Sequence, residues 1–342
     1  MKILGIDTSC DDTSAALVAD GRLTLSNVVH SQVGLHHPYG GVVPELASRE
    51  HLRNIVDVVH EALSRAGMGK EDIDGIAVTI GPGLIGSLLV GLYYAKGLSH
   101  VLGIPFIGVN HLEGHILSVF LEENAPSFPF VALTVSGGHT SLHHVTGFGR
   151  YGSLGQTLDD AAGEAFDKVA KVLGLGYPGG PVIERIALMG NSGKVRFPRA
   201  YLAPGSLDFS FSGLKTAVAL FAKKTLETEN HPGTSAADIA ASFQASVIDV
   251  LVQKLMEASK RCRVSSVVIS GGVACNKALR EALIQEASAE GLAVYYPRPA
   301  YCTDNGAMIA LAGYHRLVHG ERTDLSVDVR SRFPVDHLNP IL

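Results

Sequence analysis

Short apolar runs, each ending in a polar or glycine-rich turn, recur along this chain and constrain its fold more than any other feature. They occupy residues 3–6, 76–80, 106–109, 130–135 and 267–269. Runs of this length without strict alternation of apolar and polar residues are typical of strands that are covered on both faces. The sequence therefore predicts α/β layers.

Helical patterns fill the segments between these runs. Apolar residues recur every three or four positions, or start and stop signals are present, over residues 46–63, 159–173, 235–260 and 304–319. Ser235 and Asp238 resemble a capping box at the start of the third segment. Thr303 or Asp304 is available as the N-cap of the last.

Size and charge narrow the class of protein. A chain of 342 residues is expected to form two domains, at about 100–200 residues each. The 28 Lys and Arg against 33 Asp and Glu give a net charge of −5, which excludes a generally basic nucleic-acid binder but leaves room for a local basic patch. Four scattered cysteines without a Cys-x-x-Cys pair, and an apolar start too short for a signal peptide, predict a cytoplasmic protein.

One stretch, residues 76–95, carries no charge and is about long enough to span a bilayer. Gly81, Pro82 and Gly83 interrupt it after a β-prone run. A buried strand, a tight turn and a buried helix explain the pattern better, so no membrane association is predicted.

Weak internal repeats suggest two related lobes that each offer a turn to a shared cleft. Ser-Gly-Gly follows an apolar strand at both 136–138 and 270–272, and residues 4–17 and 133–145 each read as strand, polar turn, strand. Small residues let backbone N–H groups approach an anion, so the Ser-Gly-Gly turns are candidate phosphate contacts. Asn276, shortly afterwards, either caps a helix or contacts a ribose or base.

A metal site is indicated by His111 and His115. Side chains four residues apart lie on one face of a helix, so both imidazoles could bind one ion; two surface histidines are the alternative. Asp304 could complete a two-histidine, one-carboxylate site with open positions. In a zinc peptidase, a glutamate would activate a water molecule bound to the same metal. Glu113 is predicted to point away from both histidines, which argues against that function.

The motifs together resemble the bacterial TsaD (Gcp/YgjD) family, in order, from about residue 3 to residue 320. The matching segments are Gly5-Ile-Asp-Thr-Ser-Cys-Asp-Asp12, 40–49, 111–115, 135–140, 159–167, 177–181, 209–215, 270–276 and 302–307. The resemblance implies a two-lobed actin-, Hsp70- and sugar-kinase-like ATPase fold with a duplicated lobe. We expect residues 1–110 plus 304–342 to form one lobe and residues 111–303 the other.

The resemblance also implies an activity. Members transfer a threonylcarbamoyl group from threonylcarbamoyl-AMP to N6 of adenosine 37 in tRNAs that read ANN codons, forming t6A and AMP. The implied protein partners are TsaB and TsaE, with the adenylate supplied by TsaC. A metallopeptidase and a non-catalytic nucleotide-binding scaffold are the other two hypotheses.

Site residues follow from the resemblance by position. One divalent metal, Fe²⁺ or alternatively Zn²⁺, is expected on His111, His115 and Asp304. The substrate with its ATP-derived AMP moiety is expected to contact Thr134, Val135, Ser136, Gly137, Gly138, Asp167, Gly180, Glu184 and Asn276. Asp11 and Asp12 are the candidate catalytic carboxylates, although the family commonly has Glu at the second position.

Overall fold

The computed structural model describes residues 1–226 and 233–341. The chain forms two compact units: the first comprises Met1–Phe128, Val145–Tyr151 and Tyr296–Leu342, and the second Pro129–His144 and Gly152–Tyr295. Leu342 itself lies outside the described residues. The predicted boundaries at 110/111 and 303/304 differ from this division. The difference arises because the helix after residue 110 packs on the last long helix of the first unit.

Within residues 1–226 and 233–341, ten strands form two sheets of five. In chain order they are β1 (Lys2–Asp7), β2 (Asp12–Ala19), β3 (Leu23–Ser31), β4 (Gly75–Gly81), β5 (Phe106–Asn110), β6 (Phe130–Val135), β7 (Thr140–Gly147), β8 (Arg150–Gln156), β9 (Ser266–Ser270) and β10 (Ala293–Tyr295). Each predicted apolar run is one of these strands, so the predicted layers are confirmed.

Eleven α-helices are found in the described residues. They are α1 (Val33–His36), α2 (Pro44–Arg65), α3 (Ile85–Leu102), α4 (His111–Leu117), α5 (Ala162–Val172), α6 (Gly179–Ala187), α7 (Ser212–Leu226), α8 (Ala236–Cys262), α9 (Lys277–Ala289), α10 (Pro299–Cys302) and α11 (Gly306–Val318). The same described residues also contain five short 3₁₀ turns, at His37–Tyr39, Lys70–Asp72, Ser118–Leu121, Gly272–Cys275 and Val335–His337.

The two sheets repeat one strand order. The first runs β3-β2-β1-β4-β5 and the second β8-β7-β6-β9-β10, so each places three consecutive strands beside two later ones. In the first sheet, β1 is antiparallel to β2 and parallel to β4, which is parallel to β5. The duplicated lobe predicted from residues 4–17 and 133–145 is therefore confirmed. The Ser-Gly-Gly pair does not relate the lobes, because both turns follow neighbouring strands, β6 and β9, of one sheet.

Helix ends follow local chemistry, with one exception. Ser235 and Asp238 form the predicted capping box of α8, with Ser235 Oγ accepting from the Asp238 N–H at 3.1 Å. The N-cap of α11 was expected to be Thr303 or Asp304, and this is wrong. Asn305 caps it, its Oδ1 accepting from the Met308 N–H at 3.0 Å. The Asp304 carboxylate is thus left for other contacts.

The uncharged stretch 76–95 folds as the predicted strand, turn and helix, within β4 and α3. In the part of the chain that the structure describes, one helix, α8, is long and apolar enough to cross a membrane by length and composition. However, 83% of its most apolar window is buried. Burial on that scale is typical of a core helix.

The core of the first unit brings α11 onto β1. Leu4 and Ile6 of β1 are fully buried and share a cluster with Leu92 of α3. On the strand's other face, a Cβ added at Gly5 would collide with the backbone oxygen of Gly306. Glycine at both positions lets the start of α11 approach β1 closely, and Asp304 lies two residues before Gly306.

Candidate metal centre

The two histidines are held by a short capped helix. Asn110, the last residue of β5, accepts through Oδ1 from the N–H groups of Leu112 at 2.9 Å and Glu113 at 3.3 Å, which fixes the start of α4. One helical turn then places the rings of His111 and His115 with centroids 4.6 Å apart and planes at 87°. Both side chains are buried, so their orientation is set by packing.

Asp304 meets both imidazoles from a distant part of the sequence. Its Oδ1 lies 3.0 Å from His115 Nε2 and 3.5 Å from His111 Nε2. Ligands about 2.1 Å from a metal are about 3.4 Å apart in tetrahedral geometry. The observed spacing therefore fits one ion bound by all three residues, whose ligand atoms lie within 4.8 Å of one another. A two-histidine, one-carboxylate set leaves positions open for substrate.

Asp7 supports this set from behind. Its carboxylate is fully buried and its Oδ2 lies 3.3 Å from His111 Nδ1, the ring nitrogen opposite the one that faces Asp304. Carboxylates in this position orient a metal-binding imidazole and raise its basicity. Asp7 is part of the first segment that resembles the family, but the sequence predicts no role for it. The feature that could have indicated this role is the position of Asp7 at the carboxyl end of β1. Because β1 and β5 are both parallel to β4, they end at the same sheet edge, so Asp7 lies near the residue that follows β5, His111.

The electrostatics of the site favour positive charge. Burial lowers the pKa of His111, but the charges of Asp304 and Asp7 outweigh burial and raise it to about 10. Burial raises the pKa of Asp304, but the neighbouring His111 and His115 bring it well below its usual range. Two carboxylates and two imidazoles in a buried space thus stabilise a cation, whether proton or metal.

Glu113 belongs to a different network. Its carboxylate is fully buried, where Oε1 accepts from Arg316 Nη2 at 2.7 Å and from the Tyr151 hydroxyl at 2.9 Å, and Oε2 accepts from Arg316 Nε at 2.8 Å. Its negative charge is therefore paired with the positive charge of Arg316. The prediction that Glu113 is not a general base for the metal is supported by these contacts.

Of the candidate carboxylates, Asp11 lies between β1 and β2 and Asp12 is the first residue of β2, in the same unit as His111, His115 and Asp304. Burial, followed by the charges of Asp304 and Asp11, raises the pKa of Asp12 to about 7. Burial also raises the pKa of Asp11, partly offset by a hydrogen bond from Cys10. The Oδ1 of Asp12 is buried with no hydrogen-bond partner within residues 1–226 and 233–341. A carboxylate in this state accepts a proton near neutral pH.

The remaining predicted residues lie in the second unit: residues 134–138 at the carboxyl end of β6, Asp167 on α5, Gly180 and Glu184 on α6, and Asn276 at the start of α9. Thr134 and Ser270 are paired across these strands, with their hydroxyl oxygens 3.4 Å apart. Val135 is fully buried at the end of β6. The turn that follows is closed by the Ser136 N–H, which donates to the His139 carbonyl at 2.8 Å.

Glycines at three predicted contact positions are not explained by packing. A Cβ at Gly137, Gly138 or Gly180 would meet nothing within 4 Å, and none of the three has a positive φ. By contrast, a Cβ at Gly179 would collide with the backbone of Phe166 and Asp167. Open glycine backbone is what close approach of a ligand requires.

Asp167, Glu184 and Asn276 each make a structural contact. Asp167 Oδ1 accepts from the Gly179 N–H at 2.7 Å. Glu184 Oε1 accepts from the Lys277 N–H at 2.7 Å, and Asn276 Oδ1 from the Leu279 N–H at 3.0 Å, so both hold the start of α9. The capping alternative for Asn276 is therefore observed, while nucleotide contact by these three residues stays a prediction.

Comparisons with known proteins agree with this description. Residues 24–311 match the family described as TsaD: tRNA N6-adenosine threonylcarbamoyltransferase. A curated relative of that name from Thermodesulfovibrio yellowstonii is 55% identical, covering 98% of this chain and 100% of the relative. Another from Syntrophus aciditrophicus is 52% identical, covering 98% of each.

Solved structures share the fold at low sequence identity. HypF of T. kodakarensis has a TM-score of 0.61 at 15% identity, covering 93% of this chain and 48% of that one. The ROK hexokinase of Thermus thermophilus has a TM-score of 0.51 at 19% identity, covering 94% and 100%. The actin- and sugar-kinase-like fold class is therefore confirmed. With the sequence relatives, these matches show that this chain is a transferase that belongs to the TsaD family of tRNA N6-adenosine threonylcarbamoyltransferases.

Proposed function

We propose that the enzyme transfers threonylcarbamoyl from threonylcarbamoyl-AMP to N6 of adenosine 37 in tRNAs that read ANN codons, releasing AMP. The observation that carries the proposal is the convergence of His111, His115 and Asp304 on one cation site with open positions. A transferase must bind its donor and polarise the group that it transfers. A cation held by these three residues would do both.

The metal is proposed to be Fe²⁺, with Zn²⁺ as the alternative. Two imidazoles and one carboxylate suit both, and the two-histidine, one-carboxylate set is the common arrangement for non-haem iron. When bound, a divalent ion supplies a Lewis acid for the donor's carbonyl or phosphate oxygens. His111, His115 and Asp304 would hold it, and Asp7 would orient His111.

The proton released from the adenine amine needs an acceptor. Asp12 is the better candidate, because one of its oxygens is buried without a partner among the described residues and its pKa is raised to about 7. A base with a pKa near the working pH transfers protons most effectively. Asp11, beside it, is the second candidate.

The adenylate's nucleotide part is proposed to lie along residues 134–138 and near Asp167, Gly180, Glu184 and Asn276. The support is the open backbone at Gly137, Gly138 and Gly180, which neither packing nor φ requires to be glycine. Backbone N–H groups in such turns bind phosphate oxygens. Because the donor is already activated, holding it in place supplies much of the rate gain.

The protein is further proposed to act in the cytoplasm with TsaB and TsaE as partners, and to receive threonylcarbamoyl-AMP from TsaC. The four cysteines form no disulfide among the described residues, which supports a reducing compartment. Hydrophobic side chains exposed on neighbouring helices of the first unit, Leu52 and Val56 of α2 and Tyr93 and Val101 of α3, offer a surface for a protein partner.

The test is nucleoside mass spectrometry of tRNA incubated with the enzyme, its partners, threonine, bicarbonate and ATP. We expect modified adenosine with the wild-type protein and with His100→Ala, an exposed control. We expect none with His111→Ala or His115→Ala. Absence of product with active partners and wild-type protein would refute the proposal, and full activity of both variants would favour a metal-independent scaffold.

A further inference from the structure

The segment that carries Asp11 and Asp12 is fixed by buried groups from outside it. The Cys10 carbonyl oxygen is 2.9 Å from His51 Nε2, and Thr13 Oγ1 is 2.7 Å from His51 Nδ1. Between these contacts, the Asp11 carbonyl accepts from the Gln32 N–H at 3.1 Å. His51 lies on α2 and is fully buried.

The protonation of His51 follows from its two partners. A carbonyl oxygen only accepts, so Nε2 carries the hydrogen and donates to Cys10. Burial lowers the pKa of His51, which favours the neutral ring. In a neutral ring Nδ1 is then an acceptor, and the Thr13 hydroxyl donates to it. One imidazole therefore joins the residue before Asp11 to the residue after Asp12 with both nitrogens used.

A second buried histidine supports Gln32 in the same way. The Val43 N–H donates to His36 Nδ1 at 3.3 Å, so Nε2 donates to Gln32 Oε1 at 3.2 Å, and Gln32 Nε2 donates to the Ala47 carbonyl at 3.3 Å. The three donors named here each face an acceptor. Such satisfied buried networks fix a single arrangement of the groups they hold.

We propose that His51 is a positioning residue for the transfer reaction, which holds the segment Cys10–Thr13 so that the carboxylate of Asp12 stays in place as proton acceptor. The inference rests on the proposed function of Asp12. It explains how a buried carboxylate oxygen that lacks a partner among the described residues can be kept in place, since its position is fixed through the backbone on either side.

The test compares His51→Ala with His60→Ala, an exposed histidine of the same helix. We expect kcat for tRNA modification to fall about 10- to 100-fold in His51→Ala, the order of loss seen when reacting groups are displaced by about 1 Å. KM for the adenylate and bound metal should be unchanged, because the substrate contacts and the triad are intact. His51→Gln, which keeps a donor for the Cys10 carbonyl, should regain part of the activity.

Thr13→Val provides a second, smaller change. It removes the hydroxyl that donates to His51 and should lower kcat in the wild-type background but not further in His51→Ala, as expected for two residues acting through one contact. It also decides the matter if His51→Ala fails to fold.

Wild-type kcat in His51→Ala and Thr13→Val would overturn the inference, as would losses that track lost metal or lost folded protein. If the wild-type enzyme makes no product, the proposed function fails instead.

Discussion

At the scale of single residues, two buried acids show how surroundings decide chemistry. Glu113 has both oxygens engaged by Arg316, with Tyr151 as a further donor, so its charge is neutralised in place. Asp12 has one buried oxygen without a partner among the described residues and a pKa raised to about 7. The first acid is suited to stability and the second to proton transfer.

If Asp12 is the proton acceptor, its ionisation determines how kcat depends on pH. Because its pKa is raised above the ordinary value of about 4, kcat should rise with pH up to about 7 and level off once Asp12 is ionised. Asp12→Asn should lower kcat by at least about 100-fold and abolish this limb, whereas Asp12→Glu keeps a carboxylate and should retain activity. A pH–rate profile checks this, with Asp57→Asn, exposed on α2, as control. If kcat of Asp12→Asn rises with pH as in the wild type, the proton acceptor is another residue.

The buried ion pair of Glu113 with Arg316 leads to a prediction about the free energy of unfolding. Glu113→Gln leaves buried Arg316 with only Glu321, at 2.9 Å, as an acidic partner in the described part of the chain. Breaking a buried pair costs about 3–5 kcal/mol, so we expect a loss of that order in urea denaturation with metal content retained. Glu45→Gln, which breaks an exposed pair with Arg49, should cost less than about 1 kcal/mol. A stable Glu113→Gln protein that has lost activity would contradict this role.

At the scale of elements, the acids at 159 and 160 were expected to begin a helix, but α5 starts only at Ala162. Asp159 instead accepts from the N–H of Phe211 at 2.8 Å and of Ser212 at 3.3 Å, at the start of α7. Asp160 lies 2.7 Å from both Lys168 and Lys215. Sequence signals for a helix start are local, so they cannot reveal a cap supplied from about 50 residues away.

Asp159→Ala should therefore destabilise the second unit by about 1 kcal/mol, the usual effect of losing a cap. Burial raises the pKa of Asp159, but hydrogen bonds from Ser210, Ser212 and Phe211 outweigh it and lower the pKa. Its contribution is thus fully present above the ordinary pKa of about 4 and is lost as pH falls through the lower folded value. The stability difference between wild type and variant should be present at pH 6 and shrink as the pH falls below about 4. A difference that does not shrink with falling pH would show that the charge is not responsible.

At the scale of the whole molecule, the sequence was sufficient for the strand runs and the duplicated sheet, because these depend on local apolar patterns and their order. The sequence also predicted that His111, His115 and Asp304 lie together. The fold brings them together although His115 and Asp304 are 189 residues apart in the chain. The sequence did not assign α4 to the first unit or give Asp7 and His51 their contacts. Those depend on the packing of α11, α2 and the parallel strands, which spacing along the chain does not encode.

The central claim is that one ion is bound by His111, His115 and Asp304. Its most direct test is the metal content of dialysed protein by mass spectrometry, for the wild type, His115→Ala, Asp304→Ala and the exposed control His100→Ala. We expect about one equivalent of iron or zinc per chain in the wild type and control, and a large loss in both site variants, since each removes one of three ligands. Equal metal content in all four proteins, or none in the wild type after loading with either metal, would contradict the account.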